Sequence, residues 1–308
     1  MSKIITITFA PSIDKSASVS AILSEKKMRC SALISEPGGG GINVARVINR
    51  LGGDVKAIFP SGGYLGMFLN HLLENDNVPF VSIQSKNETR ENYVILDQAT
   101  NKQYRFGMPS IELFENELKS ILQVIEKQEK VDFIVASGSL PPGIPLNIYA
   151  QLSKIATKKK AKLIVDTSGE ALKNALNEDV YLLKPNLEEL GILLDKKDLE
   201  FEDIEVLAKE LIHKRNCQII VVSLGANGAM LITKDETYSI QPPKVKVKST
   251  VGAGDSMVAG IVFGLSNNLN LKECLQYGIA CGTATTMNSG SALCQIKEVK
   301  RLLKIIKK

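Results

Sequence analysis

A glycine-rich loop near the end of the chain, residues 250–256, carries one acidic residue, Asp255. A β-like run at 245–247 precedes the loop, and a helix-like run at 257–265 follows it. Backbone N–H groups at a helix start are unpaired and partly positive, so they bind an anion. A carboxylate beside a bound phosphate is unfavourable unless it takes a proton from a hydroxyl that attacks phosphorus. The same loop also fits a plain turn in which Asp255 is only an N-cap.

From about residue 118 onward, strand-like and helix-like segments alternate, and these elements must position such a site. Buried-strand runs occupy residues 131–137, 162–165, 180–183 and 218–223. Strands that are apolar throughout, each followed by a helix, indicate a parallel sheet covered on both faces. Ligands bind such sheets at the carboxyl ends of the strands. The polar loops that follow these runs are therefore expected at one edge of the sheet.

The first 110 residues show a different pattern. Short segments of alternating polarity occupy residues 16–22, 28–35, 92–97 and 103–108. They predict an antiparallel sheet with one solvated face. Four glycines at 38–41 precede a helical pattern at 42–51, which Gly52-Gly53 ends. We predict one catalytic unit over residues 1–308, with lid strands from about 14–36 and 89–108 inserted in the α/β core.

The composition excludes several classes of protein. The net charge of +5 suits an anionic substrate, but with 5% aromatic residues and no tryptophan it does not support nucleic-acid binding. The two histidines, His71 and His213, are too far apart in sequence to favour a zinc cluster or a Ser-His-Asp triad. The N-terminus does not resemble a signal peptide, and no apolar run approaches the ~20 residues that span a bilayer. We expect a cytoplasmic enzyme with no membrane or nucleic-acid partner.

Four motifs occur in a characteristic order along the chain. They are residues 10–14 (APSID), 38–46 (GGGGINVAR), 184–189 (KPNLEE) and 250–255 (TVGAGD). Because of these four motifs and their order, the chain resembles the ribokinase-like PfkB carbohydrate kinases over essentially its whole length. Segments 103–106 and 137–143 resemble the branch that phosphorylates fructose and tagatose phosphates. The resemblance implies an α/β fold with three αβα layers, a mostly parallel Rossmann-like central sheet and a small antiparallel β-sheet lid.

The resemblance also implies roles for the glycine-rich loop. Asp255 would be the general base for the attacking sugar hydroxyl. The amides of Ala253, Gly254 and Asp255, with Gly252, would form the anion hole around the transferring phosphoryl group. Catalysis would then rest on positioning and charge stabilisation, with no covalent enzyme intermediate.

On the nucleotide side, the resemblance implies binding of ATP and Mg²⁺. Asn186 and Glu189 would organise Mg²⁺ through water molecules, which suits an ion that dehydrates reluctantly. They stand three apart at a helix start and share one face, so a capping box is the alternative interpretation. Lys184 would reach the nucleotide phosphates. Other residues implied to line the ATP side are Ser223, Gly225, Gly228 and Thr250.

On the sugar side, Asp14 could accept hydrogen bonds from two hydroxyls. Gly39 and Gly40 would let the backbone approach the sugar, where Asn43 supplies both a donor and an acceptor. Ser139 fits a sugar contact or a turn hydroxyl. Guanidinium groups suit the phosphate that the sugar already carries. The basic candidates for that phosphate are Arg90, Arg105, Lys27 and Arg29, which could equally be solvated surface residues.

The function expected from the resemblance is transfer of the γ-phosphoryl group of Mg-ATP to the C1 hydroxyl of fructose 6-phosphate. Tagatose 6-phosphate differs only in stereochemistry at one carbon, so it stays open as the substrate, and fructose 1-phosphate is a further alternative. A nucleoside kinase is disfavoured because a nucleoside carries no phosphate for the two lid arginines to bind. A catalytically silent sugar or nucleotide sensor would not need Asp255. We also expect a homodimer formed through the lid sheet, because bare edge strands and an apolar lid face favour pairing.

Overall fold

The computed structural model describes residues 2–196, 199–215 and 217–307. The strands are β1 (Lys3–Ile7), β2 (Ser12–Val19), β3 (Ile34–Gly38), β4 (Asp54–Gly62), β5 (Phe80–Ser85), β6 (Arg90–Asp97), β7 (Lys102–Gly107), β8 (Phe133–Ser137), β9 (Lys162–Asp166), β10 (Val180–Leu183), β11 (Cys217–Ser223), β12 (Ala229–Ile232) and β13 (Thr237–Ile240). The helices are α1 (Gly40–Leu51), α2 (Gly63–Asn75), α3 (Glu115–Lys127), α4 (Ile148–Lys159), α5 (Gly169–Ala175), α6 (Leu187–Leu193), α7 (Ile204–Lys214), α8 (Ala253–Ser266), α9 (Leu271–Thr286) and α10 (Ile296–Ile306). Short 3-10 helices span Phe201–Asp203 and Gly225–Asn227. Across these described ranges, none of the helices is both long enough and apolar enough to cross a bilayer.

The central sheet has nine strands in the order β13-β12-β11-β10-β9-β8-β1-β4-β5. From β11 through β5 every neighbouring pair is parallel, whereas β12 and β13 are added antiparallel at one edge. The predicted mostly parallel sheet is therefore confirmed. Its apolar runs at 162–165, 180–183 and 218–223 form β9, β10 and β11.

Both faces of this sheet are buried along its central strands, which explains the continuous apolar runs there. Adjacent residues of β1 point to opposite faces: Ile4 belongs to the core beneath α1, α8 and α9, and Ile5 to the core beneath α3, α4 and α7. Their side chains are 0% and 1% exposed. The sequence and the packing thus agree on three layers, with helices on either side of the sheet.

A second sheet has four strands in the order β3-β2-β6-β7. It is built largely from the segments predicted as lid strands and is called the lid sheet below. Its outer pairs are antiparallel, as expected, but β2 and β6 are parallel. The small sheet is therefore mixed. The reason is topological, since β2 follows β1 and β6 follows β5, and those two strands run in the same direction in the central sheet.

Two predicted strands are wrong. In the segment 28–35, residues 28–33 are exposed and irregular except for an isolated bridge between Val19 and Cys30, and the strand there, β3, spans 34–38. The run at 245–247, before the glycine loop, pairs with no strand. In both segments polarity alternates, but among the described residues 28–33 form only one bridge to β2, and 245–247 form no ladder.

Candidate active site

Four neighbouring strands of the central sheet end in, or lead directly into, polar residues at one edge. Ser137, Asp166 and Ser223 are the last residues of β8, β9 and β11, and Lys184 directly follows β10. Ser137 Oγ donates to Asp166 Oδ2 at 3.2 Å, and the backbone N–H of Ser223 donates to the carbonyl of Pro185 at 3.0 Å. The predicted gathering of polar loops at the carboxyl ends of the strands is therefore present.

Helix α8 begins at Ala253, and Gly252 is its N-cap with φ 72°, a left-handed conformation that favours glycine. A Cβ at Gly252 would lie only 2.7 Å from Leu293 Cδ2. Asp255 lies in the first turn, where helix N–H groups have no partner within the helix. In the described part of the chain, the amides of Gly254 and Asp255 donate no hydrogen bond. The amide of Ala253, which was also predicted to face the anion, instead donates to the carbonyl of Thr250 at 3.3 Å. The predicted turn and helix start are thus formed, and anion binding there stays a prediction.

The Asp255 carboxylate receives a hydrogen bond from a helix far away in sequence. Asn43 Nδ2, on α1, donates to Asp255 Oδ2 at 2.8 Å. Burial raises the pKa of Asp255 from 3.8 to about 7, and the Asp166 carboxylate contributes to the rise. The Asn43 hydrogen bond and the charge of Lys184 act in the opposite direction. A carboxyl group with a pKa near neutrality can serve as a general base at physiological pH.

Lys184 is buried, and its ammonium pairs with Asp166 Oδ1 at 3.1 Å. Burial opposes the charge, but Asp166, with Glu189 and Asp255, outweighs it and raises the pKa of Lys184. A Cβ at Gly254 would lie 3.8 Å from Lys184 Nζ, so the ammonium lies beside the first turn of α8. A charged lysine beside unpaired helix amides forms a positive site that a phosphoryl group fits.

The glycine run lets α1 pack directly against the strand ends. Gly39 is the N-cap of α1 with φ 105°. A Cβ at Gly40 would lie 2.5 Å from Ser137 Oγ, so that position leaves no room for a side chain. This close packing places Asn43, which is buried, in the first turn of α1 and within reach of Asp255.

Asp14 is a buried residue of lid strand β2. Its Oδ1 accepts hydrogen bonds from Ser12 Oγ at 2.8 Å and from Asn92 Nδ2 at 3.0 Å. Gly38 packs against this carboxylate, because a Cβ there would lie 2.5 Å from Asp14 Cγ. One carboxylate oxygen is therefore held in place, and among the described residues no donor occupies the other.

Asn186 and Glu189 form the capping box that the sequence offered as an alternative to metal binding. Asn186 Oδ1 accepts from the N–H of Glu189 at 2.7 Å, and Glu189 Oε2 accepts from the N–H of Asn186 at 2.8 Å. In the described part of the chain, no cluster of three or more His, Cys, Asp or Glu side chains is arranged to hold a metal. Both side chains nevertheless lie at the strand ends, so their part in Mg²⁺ binding stays a prediction.

Three of the predicted ATP-side residues lie at the end of β11 and in the turn that follows it. Ser223 forms an isolated bridge with Asn186. Gly225 and Gly228 have φ of 59° and 93° and enclose a 3-10 turn, which is closed by the bond from the N–H of Leu224 to the carbonyl of Gly228 at 2.8 Å. Two left-handed residues in so short a turn explain why both are glycine.

The two predicted lid arginines are held by protein groups. Arg90 Nη1 donates to the carbonyl of Met108 at 3.0 Å and to Ser110 Oγ at 2.8 Å. Burial lowers the pKa of Arg90, whereas the charge of Asp14 raises it. Arg105 Nη2 donates to Thr250 Oγ1 at 2.9 Å, so strand β7 contacts the segment that leads into the anion-binding turn.

The remaining sugar-side candidates make no such contacts. Lys27 and Arg29 lie in the exposed segment between β2 and β3, and neither has a hydrogen bond or ion pair to another described residue. Ser139 is exposed in the loop after β8. The structure therefore brings Asp14, Asn43 and the glycine run together. Ser139 lies close to that run, because the preceding Gly138 packs against Gly40, whereas Lys27 and Arg29 are placed in a separate exposed segment.

Several polar residues that contact the predicted site are absent from the predicted set, namely Ser12, Asn92, Ser137 and Asp166. Asp166 contacts both Ser137 and Lys184, and Asn92 orients Asp14. Asp166 could have been predicted from the sequence, because this acidic residue directly follows a buried-strand run. Asn92 could not, since its partner lies 78 positions away in sequence.

Comparison with known proteins agrees with this geometry. The profile described as "pfkB family carbohydrate kinase" matches residues 7–298. ATP-dependent 6-phosphofructokinase isozyme 2 of Escherichia coli is 41% identical over 98% of each chain, and 1-phosphofructokinase of Bacillus subtilis is 31% identical over 92% of this chain and 93% of its own. The crystal structure of E. coli phosphofructokinase-2 with substrates and products superposes with a TM-score of 0.95 at 39% identity, covering 99% of this chain and 100% of that one. The chain belongs to the pfkB family of carbohydrate kinases.

Proposed function

We propose that this protein transfers the γ-phosphoryl group of ATP to the C1 hydroxyl of fructose 6-phosphate, giving fructose 1,6-bisphosphate and ADP. One observation carries the proposal. Asp255, with a pKa of about 7, lies in the first turn of α8 beside the Lys184 ammonium. A base near neutrality next to a positive, anion-binding turn is what in-line phosphoryl transfer to a hydroxyl requires.

In the proposed reaction each group has a distinct task. The ionised Asp255 accepts the proton of the C1 hydroxyl as the hydroxyl oxygen attacks the γ-phosphorus of ATP. The free amides of Gly254 and Asp255 and the ammonium of Lys184 stabilise the negative charge on the transferring phosphoryl group. Asn43 fixes the direction of the carboxylate through its 2.8 Å hydrogen bond. Asp166 keeps Lys184 charged and in place.

Mg²⁺ would neutralise the phosphate charge of ATP when bound. The donor set fits a hydrated ion. Asn186 and Glu189 each use one oxygen in the capping box, and within the described residues Glu189 Oε1 accepts no hydrogen bond. A single free carboxylate oxygen can hold Mg²⁺ through its water molecules, whereas direct coordination needs more ligands than these two residues supply. The nucleotide would contribute its phosphate oxygens to the same ion.

Recognition of the sugar phosphate involves the lid in this proposal. Asp14 and Asn43 offer hydrogen-bonding groups to the sugar hydroxyls. Arg90 is the better phosphate ligand, because its guanidinium is only partly buried and currently bonds to neutral acceptors. A phosphate would form stronger, charge-assisted hydrogen bonds with it. Arg105, which bonds to Thr250, and the exposed Lys27 and Arg29 are the further candidates for this phosphate.

Fructose 6-phosphate is preferred over the alternatives because the E. coli relative is a 6-phosphofructokinase at 41% identity over almost the whole chain. Tagatose 6-phosphate would use the same mechanism. Fructose 1-phosphate, the sugar implied by the name of the B. subtilis relative, would have to enter with its phosphate at the opposite end. A silent sensor is disfavoured because Asp255 and the anion-binding turn are intact.

We also propose that the protein is a homodimer through the lid. The lid and its loop expose large apolar side chains, with Leu33 54%, Ile34 61% and Phe106 49% accessible. Apolar groups on one sheet favour burial against a second copy. Size-exclusion chromatography with light scattering at micromolar concentration tests this, and a monomer as the only species would contradict it.

The experiment that tests the function is a coupled ADP-release assay with Mg-ATP. The panel comprises fructose 6-phosphate, tagatose 6-phosphate, fructose 1-phosphate, fructose and ribose. We expect the highest kcat/KM with fructose 6-phosphate. A preference for tagatose 6-phosphate would change the substrate and keep the mechanism. No turnover with any sugar would overturn the proposed function.

A further inference from the structure

Arg46 is the largest side chain in the described structure that is almost completely buried, with 2% exposure. Its guanidinium has three acceptors. Nε donates to Asp76 Oδ2 at 2.7 Å, Nη1 to the carbonyl of Pro37 at 3.0 Å and Nη2 to Glu36 Oε1 at 3.4 Å. A buried ion pair contributes little net stability compared with a well-packed apolar residue, so these contacts call for another explanation.

Arg50 lies one helical turn later on α1 and shares the same carboxylate. Its Nη2 is 3.6 Å from Asp76 Oδ2, and its Nη1 donates to the carbonyls of Leu293 at 3.1 Å and Cys294 at 3.3 Å. Burial and the neighbouring Arg46 lower the pKa of Arg50, while Asp76 acts in the opposite direction. The two arginines and Asp76 form one charge cluster, called here the α1 arginine cluster.

The cluster holds two segments that belong to different parts of the site. Arg46 holds the end of lid strand β3, at Pro37, directly before the glycine run. Arg50 holds the segment at 293–294, where Leu293 packs against Gly252, the N-cap of the catalytic helix. A further bond joins the two segments, because Ser291 Oγ donates to Glu36 Oε2 at 3.1 Å.

Helix α1 therefore carries three side chains, three and four residues apart, that contact three different parts of the site. Asn43 contacts the Asp255 carboxylate, Arg46 contacts the lid strand, and Arg50 contacts the support of the anion-binding turn. Residues three and four apart on a helix share one face, so a single rigid element sets the distances among the three parts.

We propose that Arg46 and Arg50 are positioning residues for the phosphoryl transfer. They hold lid strand β3 and the 291–294 segment at a fixed separation, so that the sugar hydroxyl and the anion-binding turn are aligned. The inference rests on the proposed kinase function. Each guanidinium pairs with Asp76 and bonds to one segment at the same time, Arg46 to the end of β3 and Arg50 to residues 293–294. An ammonium lacks the planar set of fixed donors that this geometry uses.

The test uses Arg46→Lys in the full-length protein, with steady-state kinetics for fructose 6-phosphate and ATP. Lysine keeps the charge and loses the fork, so we expect kcat to fall roughly 10- to 100-fold, the effect of a misalignment of about 1 Å. The KM for ATP should change less than about threefold. Arg301→Lys is the matched control, because Arg301 makes one exposed ion pair with Glu298 on α10. It should leave kcat unchanged.

Ser291→Ala is the second variant in case Arg46→Lys does not fold. It removes only the bond between the two held segments, and we expect kcat to fall roughly 3- to 10-fold with the KM for ATP unchanged. Folded variants whose kcat equals that of the wild type would overturn the positioning role and leave the proposed function standing. An inactive wild-type protein would overturn the proposed function, and this inference with it. A loss confined to thermal stability, with normal kcat per folded molecule, would also contradict the inference.

Discussion

Asn43 Nδ2 lies 2.8 Å from Asp255 Oδ2, and this hydrogen bond joins helix α1 to the start of helix α8 across 212 positions of sequence. The bond stabilises the ionised carboxylate and lowers the pKa of Asp255 relative to its buried surroundings. Asn43 therefore sets both the direction of the carboxylate and the pH range in which it can accept a proton.

Replacing Asn43 by alanine should shift the activity of the enzyme to higher pH. In the wild type, kcat/KM should fall about tenfold per pH unit below a midpoint near 7, because only the ionised Asp255 accepts a proton. Without the Asn43 donor the midpoint should rise, so activity at pH 6.5 should suffer more than activity at pH 9. Asn49→Ala, further along the same helix, is the control. An unchanged midpoint in Asn43→Ala would show that Asp255 does not govern the profile.

Replacing Asp255 by asparagine should remove activity and increase stability at alkaline pH. We expect kcat to fall roughly 10²- to 10⁴-fold, the usual contribution of a positioned base. The folded pKa of about 7 lies above the ordinary 3.8, so ionisation of Asp255 destabilises the fold increasingly from pH 4 to 7 and by a constant amount above. Denaturant unfolding should therefore show the variant more stable by roughly 1–3 kcal/mol at pH 8, with little difference near pH 4. Near-normal turnover would contradict the proposed mechanism.

Replacing Asp166 by asparagine should move the pH profile in the direction opposite to Asn43→Ala. Asp166 contributes to raising the pKa of Asp255, so its neutralisation should lower the midpoint of kcat/KM. It also leaves the buried Lys184 without its carboxylate, which should destabilise the fold by about 3 kcal/mol. Glu298→Gln, in an exposed ion pair, should cost less than about 0.5 kcal/mol. An alkaline shift would refute this electrostatic assignment.

The sequence predicted those parts of the fold that depend on local pattern. Strands such as β9 and β11 were recognisable because both of their faces are buried, which makes their central residues, 163–165 and 219–222, apolar. The lid was harder to predict. Its alternating segments specify a strand but not its partner, and the parallel pairing of β2 with β6 depends on how both strands leave the central sheet. The segment 28–35 alternates as well, yet only residues 34–35 belong to a strand, and residues 28–33 are exposed with one isolated bridge to β2.

The site shows the same division between local and distant information. The helix start at Gly252 and the capping box at Asn186 could be predicted because each lies within a few consecutive residues. The contacts that tune the site could not. Asp166 with Lys184, and Asn43 with Asp255, are pairs brought together only by neighbouring strands and packed helices, and sequence spacing carries no trace of them.

Replacing Arg90 by alanine should weaken binding of the phosphosugar without affecting the chemical step. Arg90 lies at the start of β6 and can exchange its bonds to Met108 and Ser110 for bonds to a phosphate. Because a bound phosphate accepts the same bonds before and during phosphoryl transfer, the KM for fructose 6-phosphate should rise at least tenfold while kcat stays within a few-fold. Unphosphorylated fructose offers no such group, so the low kcat/KM of the Arg90 variant for fructose should equal that of the wild type. Arg215→Ala is the control variant, because it removes an exposed arginine bonded to Asn177, and its KM for fructose 6-phosphate should not change. Equal losses for fructose and fructose 6-phosphate would show that Arg90 supports the lid and does not bind the phosphate.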